Sequence, residues 1–254
     1  IINGDSNYKQ ATIGKLDIQA SLGSNGLQNA GTITSLINNF SNTKLNNDGN
    51  IGSLDIQKNL NYSGNGSITD SINIASNTTL TTNGITLNAT NGSVNNLGTI
   101  AGALTLEGSS NSITNSGSIT TIINNASNSN LTNNSNIGSL AVYENLTYNG
   151  NGSDRITQAL EVAKDKTLTI GSNGTLSFNS TKGSVNNLGT IAGNLANVKD
   201  STITNFKNSG TITGNLYNDG HIDTLTNTGT MGTIYNTSKE TIVALGNGKG
   251  ATIE

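Results

Sequence analysis

The sequence predicts an all-β fold, a parallel β-helix (solenoid) of about 11 to 13 stacked coils that forms a single repeat domain over residues 1–254. Three observations predict it: a short motif recurs along the chain, a longer block is duplicated, and the chain contains no proline. Because proline lacks a backbone N–H, its absence leaves every residue able to join a ladder between strands. The chain begins with Ile1 rather than Met, so we expect it to be part of a longer polypeptide.

The short motif has the form Asn-x-Gly-x-Ile, most often Asn-x-Gly-Thr-Ile. Its copies occupy residues 29–33, 47–51, 96–100, 115–119, 187–191, 208–212 and 218–222. Asn and Gly tolerate the positive φ angles of sharp turns, and a β-branched residue then resumes an extended segment. Each copy therefore predicts a corner followed by a strand, with asparagines at equivalent corners hydrogen-bonded in a ladder along the stack.

The spacing of the motif predicts the length of a coil. The motif glycines Gly31 and Gly49 are about 18 residues apart, and the spacing is about 21 from Gly189 to Gly210, close to the lower end of the solenoid range. We interpret the shorter spacings that follow Gly210 as the motif recurring on a second corner of the same coil.

The sequence also contains a longer repeat that includes several copies of the short motif. Residues 27–67 align without gaps on residues 113–153 at an offset of 86, and residues 92–102 return unchanged as 183–193 at an offset of 91. The second copy has therefore gained about five residues between Ser153 and Gly183. Insertions in solenoids go to loops on one side of the coil.

Strand patterns fill the segments between corners. Ile100, Leu104 and Leu106 alternate with smaller residues, as in a strand with one buried face. Repeats of such pairs about eight residues apart predict three short strands per coil. Asn, Gly, Ser and Thr are poor helix formers, and only residues 158–164 could make a helical turn.

Composition excludes several classes of protein. Only 11% of residues are charged and 4% are aromatic, yet the net charge of −3 and the periodic aliphatic residues argue against disorder. The absence of cysteine excludes disulfides, thiol catalysis and Cys-ligated zinc. The sequence contains no basic stripe of the kind that indicates nucleic-acid binding.

No catalytic, cofactor or metal site is predicted. Residues 4–6 (Gly-Asp-Ser) resemble a hydrolase nucleophile motif, but Asn7 departs from it, and the only histidine is His221, which we interpret as an exposed turn residue. Residues 150–154 resemble half of a calcium-binding repeat without the stacked second half. Residues 246–250 have the composition of a phosphate loop but not its spacing. We therefore expect no enzymatic activity and no small-molecule substrate.

The richest charge cluster lies where the second copy has grown, and its signs are mixed. We interpret it as a solvated loop and as the first candidate for a projecting contact. The candidate binding residues are Asp154, Arg155, Lys164 and Lys166. Tyr62 and Tyr148 match across the 86-residue repeat, and either packing at a coil edge or a recognition role would explain them.

The Asn-x-Gly-Thr-Ile repeats, together with neighbours such as residues 208–215, resemble the passenger region of bacterial autotransporters, especially the repeat blocks of vacuolating-cytotoxin-like and adhesin members. The resemblance implies a right-handed parallel β-helix, carried across the outer membrane by a C-terminal barrel and displayed at the bacterial cell surface or released. A chain without cysteine or proline suits passage through a pore in the unfolded state.

We therefore expect a non-enzymatic, extracellular β-helix that acts in adhesion, in the manner of a virulence factor. Its partners would be a host-cell surface, or an extracellular matrix protein or glycan, besides its own outer-membrane barrel. The alternative is a structural spacer that presents a distal binding or toxin domain.

Overall fold

A computed structural model describes residues 1–4, 11–171, 174–237 and 241–253 of the chain. All regular structure in these residues is β, and every strand pairing between them is parallel. The strands wind into stacked coils, about 12 in number. The structure confirms the predicted parallel β-solenoid. Residues 158–164, the one stretch that could have formed a helical turn, continue a strand to Val162.

The described chain divides into two compact units, 1–122 and 123–254. The strands of the first unit are β1 (Ile2–Asn3), β2 (Thr12–Ile18), β3 (Leu27–Asn29), β4 (Thr32–Asn38), β5 (Thr43–Asn47), β6 (Asn50–Ile56), β7 (Leu60–Ser63), β8 (Ser67–Ile74), β9 (Thr79–Thr82), β10 (Ile85–Thr90), β11 (Ser93–Asn96), β12 (Thr99–Ser109) and β13 (Ser112–Asn115). Strand β14 (Ser118–Asn124) contains the point of division.

The second unit carries the remaining strands. They are β15 (Ser129–Asn133), β16 (Asn136–Val142), β17 (Leu146–Gly150), β18 (Arg155–Val162), β19 (Thr167–Ile170), β20 (Thr175–Phe178), β21 (Gly183–Asn187), β22 (Thr190–Ala192), β23 (Asn194–Asn197), β24 (Thr202–Asn208), β25 (Thr211–Ile212), β26 (Leu216–Asn218), β27 (His221–Asn227), β28 (Thr230–Met231), β29 (Ile234–Asn236), β30 (Ile242–Asn247) and β31 (Thr252–Ile253).

Most coils of the first unit contain two strands where the sequence predicts three; the coil of β9, β10 and β11 has three, since β10 and β11 both pair with β8. Strand β4 shows the reason for the lower number. Buried and outward-facing residues alternate along it, except that the adjacent residues Thr34 and Ser35 both face outward. The chain bends there while its ladder with β6 continues, so one strand covers two faces of the coil. The coils from β20 onward have the predicted three strands, as β20, β21 and β22 pair with β23, β24 and β25.

The core of each unit consists of rows of aliphatic side chains that lie directly above one another. In the first unit one row contains Ile33, Ile51, Ile68, Leu87 and Leu106. In the second unit a row contains Leu140, Leu160, Val185, Phe206 and Leu225. All of these side chains are at least 99% buried. Since each coil supplies few of them, the apolar surface that stabilises a coil is buried only by its neighbours.

Asparagine ladders run beside these rows. In the second unit, Asn187 Nδ2 donates to Asn208 Oδ1 at 2.7 Å, and Asn208 Nδ2 donates to Asn227 Oδ1 at 2.8 Å. A separate ladder joins Asn197 to Asn218 at 2.8 Å. The ladder prediction is confirmed, and so is the interpretation of the short spacings, because Asn208 and Asn218 belong to different corners.

The conformational reason given for the motif is wrong. None of its glycines or asparagines has a positive φ angle; positive values occur at other residues, such as Asn42 and Gly64. The motif asparagines are buried ladder members. Glycine is required because the coil below is close: a Cβ atom on Gly210 would lie 2.0 Å from the carbonyl oxygen of Gly189.

Candidate functional site

The loop between β17 and β18 contains Asp154, the first of the candidate binding residues. Its residue is 1% exposed. Its Oδ2 accepts a hydrogen bond from Tyr148 Oη at 2.6 Å, and its Oδ1 accepts one from the backbone N–H of Gly152 at 2.8 Å. The interpretation of Asp154 as part of a solvated, projecting loop is therefore wrong. The carboxylate faces inward because it satisfies a buried phenol and holds the loop closed.

Tyr148 ends an asparagine ladder. Asn133 Nδ2 donates to Tyr148 Oη at 2.9 Å, and the tyrosine is fully buried. Burial raises the pKa of Tyr148, and its hydrogen bond to the Asp154 carboxylate raises that pKa further. Of the two explanations offered for the matched tyrosines, the structure supports packing.

Tyr62 occupies the equivalent place in the first unit. Asn47 Nδ2 donates to Tyr62 Oη at 3.0 Å, and Tyr62 Oη donates to the carbonyl oxygen of Gly66 at 3.2 Å. Asn136 pairs with Arg155 as Asn50 pairs with Ser67, so Asp154 takes the place of Gly66. The two copies thus end their ladders alike, and the second adds a carboxylate. The matched tyrosines were a signal for the shared end of the ladder, but the gapless alignment hid the position of Asp154, because the loop after Tyr148 is longer than the loop after Tyr62.

The three basic candidates bind different partners. Arg155 Nη1 donates to the carbonyl oxygens of Gly152 and Asp154, at 2.8 and 2.7 Å. Lys166 Nζ donates to both carboxylate oxygens of Glu144 at 2.8 Å. Lys164 is exposed. Arg155 therefore stabilises its own loop, while Lys164 and Lys166 remain on the surface at the corner before β19.

A groove of about 290 Å³ lies beside this corner in the second unit. Its floor is formed by three adjacent parallel strands, on which Asn130, Thr147 and Thr169 are register partners. These three side chains make no hydrogen bond within the described part of the chain. Asn145, at the rim, accepts a hydrogen bond from the backbone N–H of Thr167 at 2.9 Å. The groove therefore presents a row of amide and hydroxyl groups with their hydrogen-bonding capacity free.

Exposed aromatic side chains form a second surface feature of this unit. Tyr217 and Tyr235 are register partners on β26 and β29. Their ring centroids are 5.2 Å apart and the ring planes differ by 9°. Tyr143 is a separate exposed ring, and its Oη donates to Glu161 Oε2 at 3.3 Å. Sequence reasoning missed the Tyr217–Tyr235 pair, although their spacing of about one coil was a signal.

His221 and residues 4–7 are further candidates that the sequence raised. His221 begins strand β27 rather than lying in a turn, is partly exposed, and its Nε2 lies 2.9 Å from Asp223 Oδ1. Asp5, Ser6 and Asn7 lie outside the described residues. Within the described ranges there is no group of three or more acidic or histidine side chains that could hold a metal ion. Among those residues, no helix of membrane-spanning length and hydropathy occurs.

Comparisons of the chain with protein-family models, with curated proteins and with solved structures gave no match.

Proposed function

We propose that this protein is a non-enzymatic, cell-surface or secreted β-solenoid that acts in adhesion to host or neighbouring cells, as expected of an autotransporter passenger. The observation that carries the proposal is the groove over Asn130, Thr147 and Thr169. Its side chains stand on three hydrogen-bonded strands, so their positions are fixed before a partner binds. A pre-organised surface loses less conformational freedom on binding than a flexible one.

The charges beside the groove support the same role. Glu144 forms an ion pair with Lys166 and directly precedes the groove residue Asn145 along the chain. Lys166 directly precedes Thr167, whose backbone N–H donates to Asn145. Both side chains of the pair are about one-third exposed. An exposed ion pair of this kind contributes little to the stability of a fold. It can exchange partners when a protein or glycan surface approaches, and charges at a rim guide association more than they set affinity.

The direct experiment measures saturable binding of the purified chain to cultured epithelial cells and to immobilised matrix proteins. The groove variant Asn130→Ala/Thr147→Ala should bind at least tenfold more weakly. The control is Asn61→Ala/Thr81→Ala, a pair of exposed outward positions on β7 and β9 of the first unit, which should bind like the wild type. No saturable binding by the wild-type chain, or equal loss in both variants, would contradict the proposal.

A spacer that presents a distal domain is the second candidate. The ladders favour a spacer, since within each ladder the same asparagine hydrogen bond recurs from coil to coil at separations of 18 to 21 residues. In that case, removing the groove side chains should leave the binding of the intact surface protein to its receptor unchanged. A loss of receptor affinity in the groove variant would reject the spacer function.

A further inference from the structure

We propose that Tyr217 and Tyr235 form a binding site for a neutral oligosaccharide. The proposal starts from their positions on adjacent strands, where the register fixes one ring above the other. The two side chains are 38% and 51% exposed. Large aromatic side chains usually bury their area in a core or an interface, so an exposed stacked pair indicates a surface that a partner covers.

The strand below the pair leaves one ring face open. The register partner of Tyr217 in the preceding coil is Ala196, and the partner of Ala196 is Ser177. Both residues are too small to cover an aromatic ring. Along this row of register partners, two small side chains are therefore followed by two aromatic rings. Ala196 is too small to cover the face of the Tyr217 ring that points towards it.

A depression of about 500 Å³ adjoins the pair, lined by Tyr217, Asp219, Ile234, Tyr235, Asn236 and Thr237. The carboxylate of Asp219 is exposed and makes no hydrogen bond or ion pair within the described residues. Aromatic side chains together with a few polar groups are the usual lining of a small-molecule site. Here the two tyrosines are accompanied by a free hydrogen-bond acceptor, the Asp219 carboxylate.

The chemistry of these groups selects the ligand class. The face of an aromatic ring carries partial negative charge, so it attracts the weakly positive C–H groups on the apolar face of a pyranose ring. The Asp219 carboxylate can accept hydrogen bonds from sugar hydroxyls, and charge-assisted bonds of this kind are strong. The same carboxylate repels sulfated or sialylated sugars, which selects neutral ones. Proline-rich peptides are the other common ligands of exposed tyrosines, but their proline residues offer Asp219 neither a hydroxyl nor a backbone N–H.

This inference rests on the proposed adhesive function only in assigning the sugar to a cell surface; sugar binding itself can be measured independently of adhesion.

The test is calorimetric titration of the full chain with neutral hexose oligosaccharides, with sulfated oligosaccharides and with a proline-rich peptide. We expect binding of the neutral sugars alone. Tyr217→Ala and Tyr235→Ala should each weaken binding at least tenfold, and Asp219→Asn about fivefold. Tyr217→Phe/Tyr235→Phe, which keeps both rings, should retain most of the affinity.

Phe40→Ala is the control, because Phe40 is an exposed aromatic residue of the first unit and its loss should not change sugar binding. Unchanged circular dichroism and urea midpoints establish that the tyrosine variants are folded. Absence of binding to neutral sugars, equal binding by the tyrosine variants, or preference for the peptide would each overturn the inference. Cell binding without sugar binding would overturn this inference and leave the adhesive function standing, whereas sugar binding without cell binding would do the reverse.

Discussion

The asparagines that open a ladder keep a buried carbonyl oxygen without a donor. Asn96, Asn187 and Asn197 are three of them within the described residues. Their register partners in the preceding coil are Ile74, Val162 and Phe178, respectively. None of these apolar side chains can donate a hydrogen bond. Because an unsatisfied buried polar group costs about 1–3 kcal/mol, the start of a ladder is a weak point that a single donor should repair.

Val162→Thr tests this point. Threonine has almost the shape of valine, and its hydroxyl would face Asn187 Oδ1 across the ladder. The control is Val185→Thr, because Val185 lies between the apolar side chains of Leu160 and Phe206. We expect Val185→Thr to lower the free energy of unfolding by about 1–2 kcal/mol. Val162→Thr should lower it by less than half as much, or raise it. Equal losses in urea denaturation would show that the open oxygen has no cost.

The buried tyrosines predict a dependence of stability on pH. Burial raises the pKa of both Tyr62 and Tyr148, so each phenol ionises less readily in the folded chain than in the unfolded chain. Their contribution to stability is complete below about pH 10, the ordinary pKa of tyrosine, and is lost as the pH rises above it. The free energy of unfolding should therefore fall above pH 10, by up to about 1.4 kcal/mol per pH unit for each tyrosine.

Urea denaturation between pH 8 and pH 11.5 measures this loss. In Tyr148→Phe the decline should be shallower, since one of the two buried phenols is gone. Curves of equal slope for the wild type and the variant would contradict the assignment of the pH dependence to Tyr148.

At the scale of the element, the corner is set by the distance between coils. The backbone at Gly210 passes so close to the carbonyl oxygen of Gly189 that a Cβ atom would lie 2.0 Å away. Gly246, on strand β30, has only one heavy atom near the same position, at 3.9 Å. Gly210→Ala should therefore destabilise the protein by several kcal/mol, since backbone must move. Gly246→Ala should be neutral or slightly stabilising. Similar thermal midpoints for the two variants would refute this account of the corner.

The sequence predicted the elements better than it predicted the site. Corners, coil length and the asparagine ladder all follow from the spacing of one motif, because stacked coils bring equal spacings into register. The burial of Asp154 could not be predicted in this way, since it depends on a three-dimensional contact with Tyr148 rather than on periodicity. The groove could not be predicted from the sequence either, because the outward-facing residues vary from coil to coil and follow no repeat.

For the molecule as a whole, the composition explains why stacking is the source of stability. With 4% aromatic residues and no cysteine, a single coil has only a few large apolar side chains and no disulfide to hold it. Its free energy comes from the coils on either side, as in other repeat proteins. The number of coils should therefore change the stability gradually, while their register should decide whether the chain folds.

Deletion within the first unit tests this claim most directly. Ile33 and Ile51 are register partners, as are Thr32 and Asn50, so deletion of residues 33–50 removes one whole coil and leaves the rows aligned. Deletion of residues 33–41 removes half a coil and misplaces every row after it. Urea denaturation followed by circular dichroism should show a folded, cooperative β protein for the first deletion, with stability only a few kcal/mol below the wild type, and loss of the folded state across this unit for the second. Equal behaviour of the two deletions would contradict a fold built from coils stacked in register.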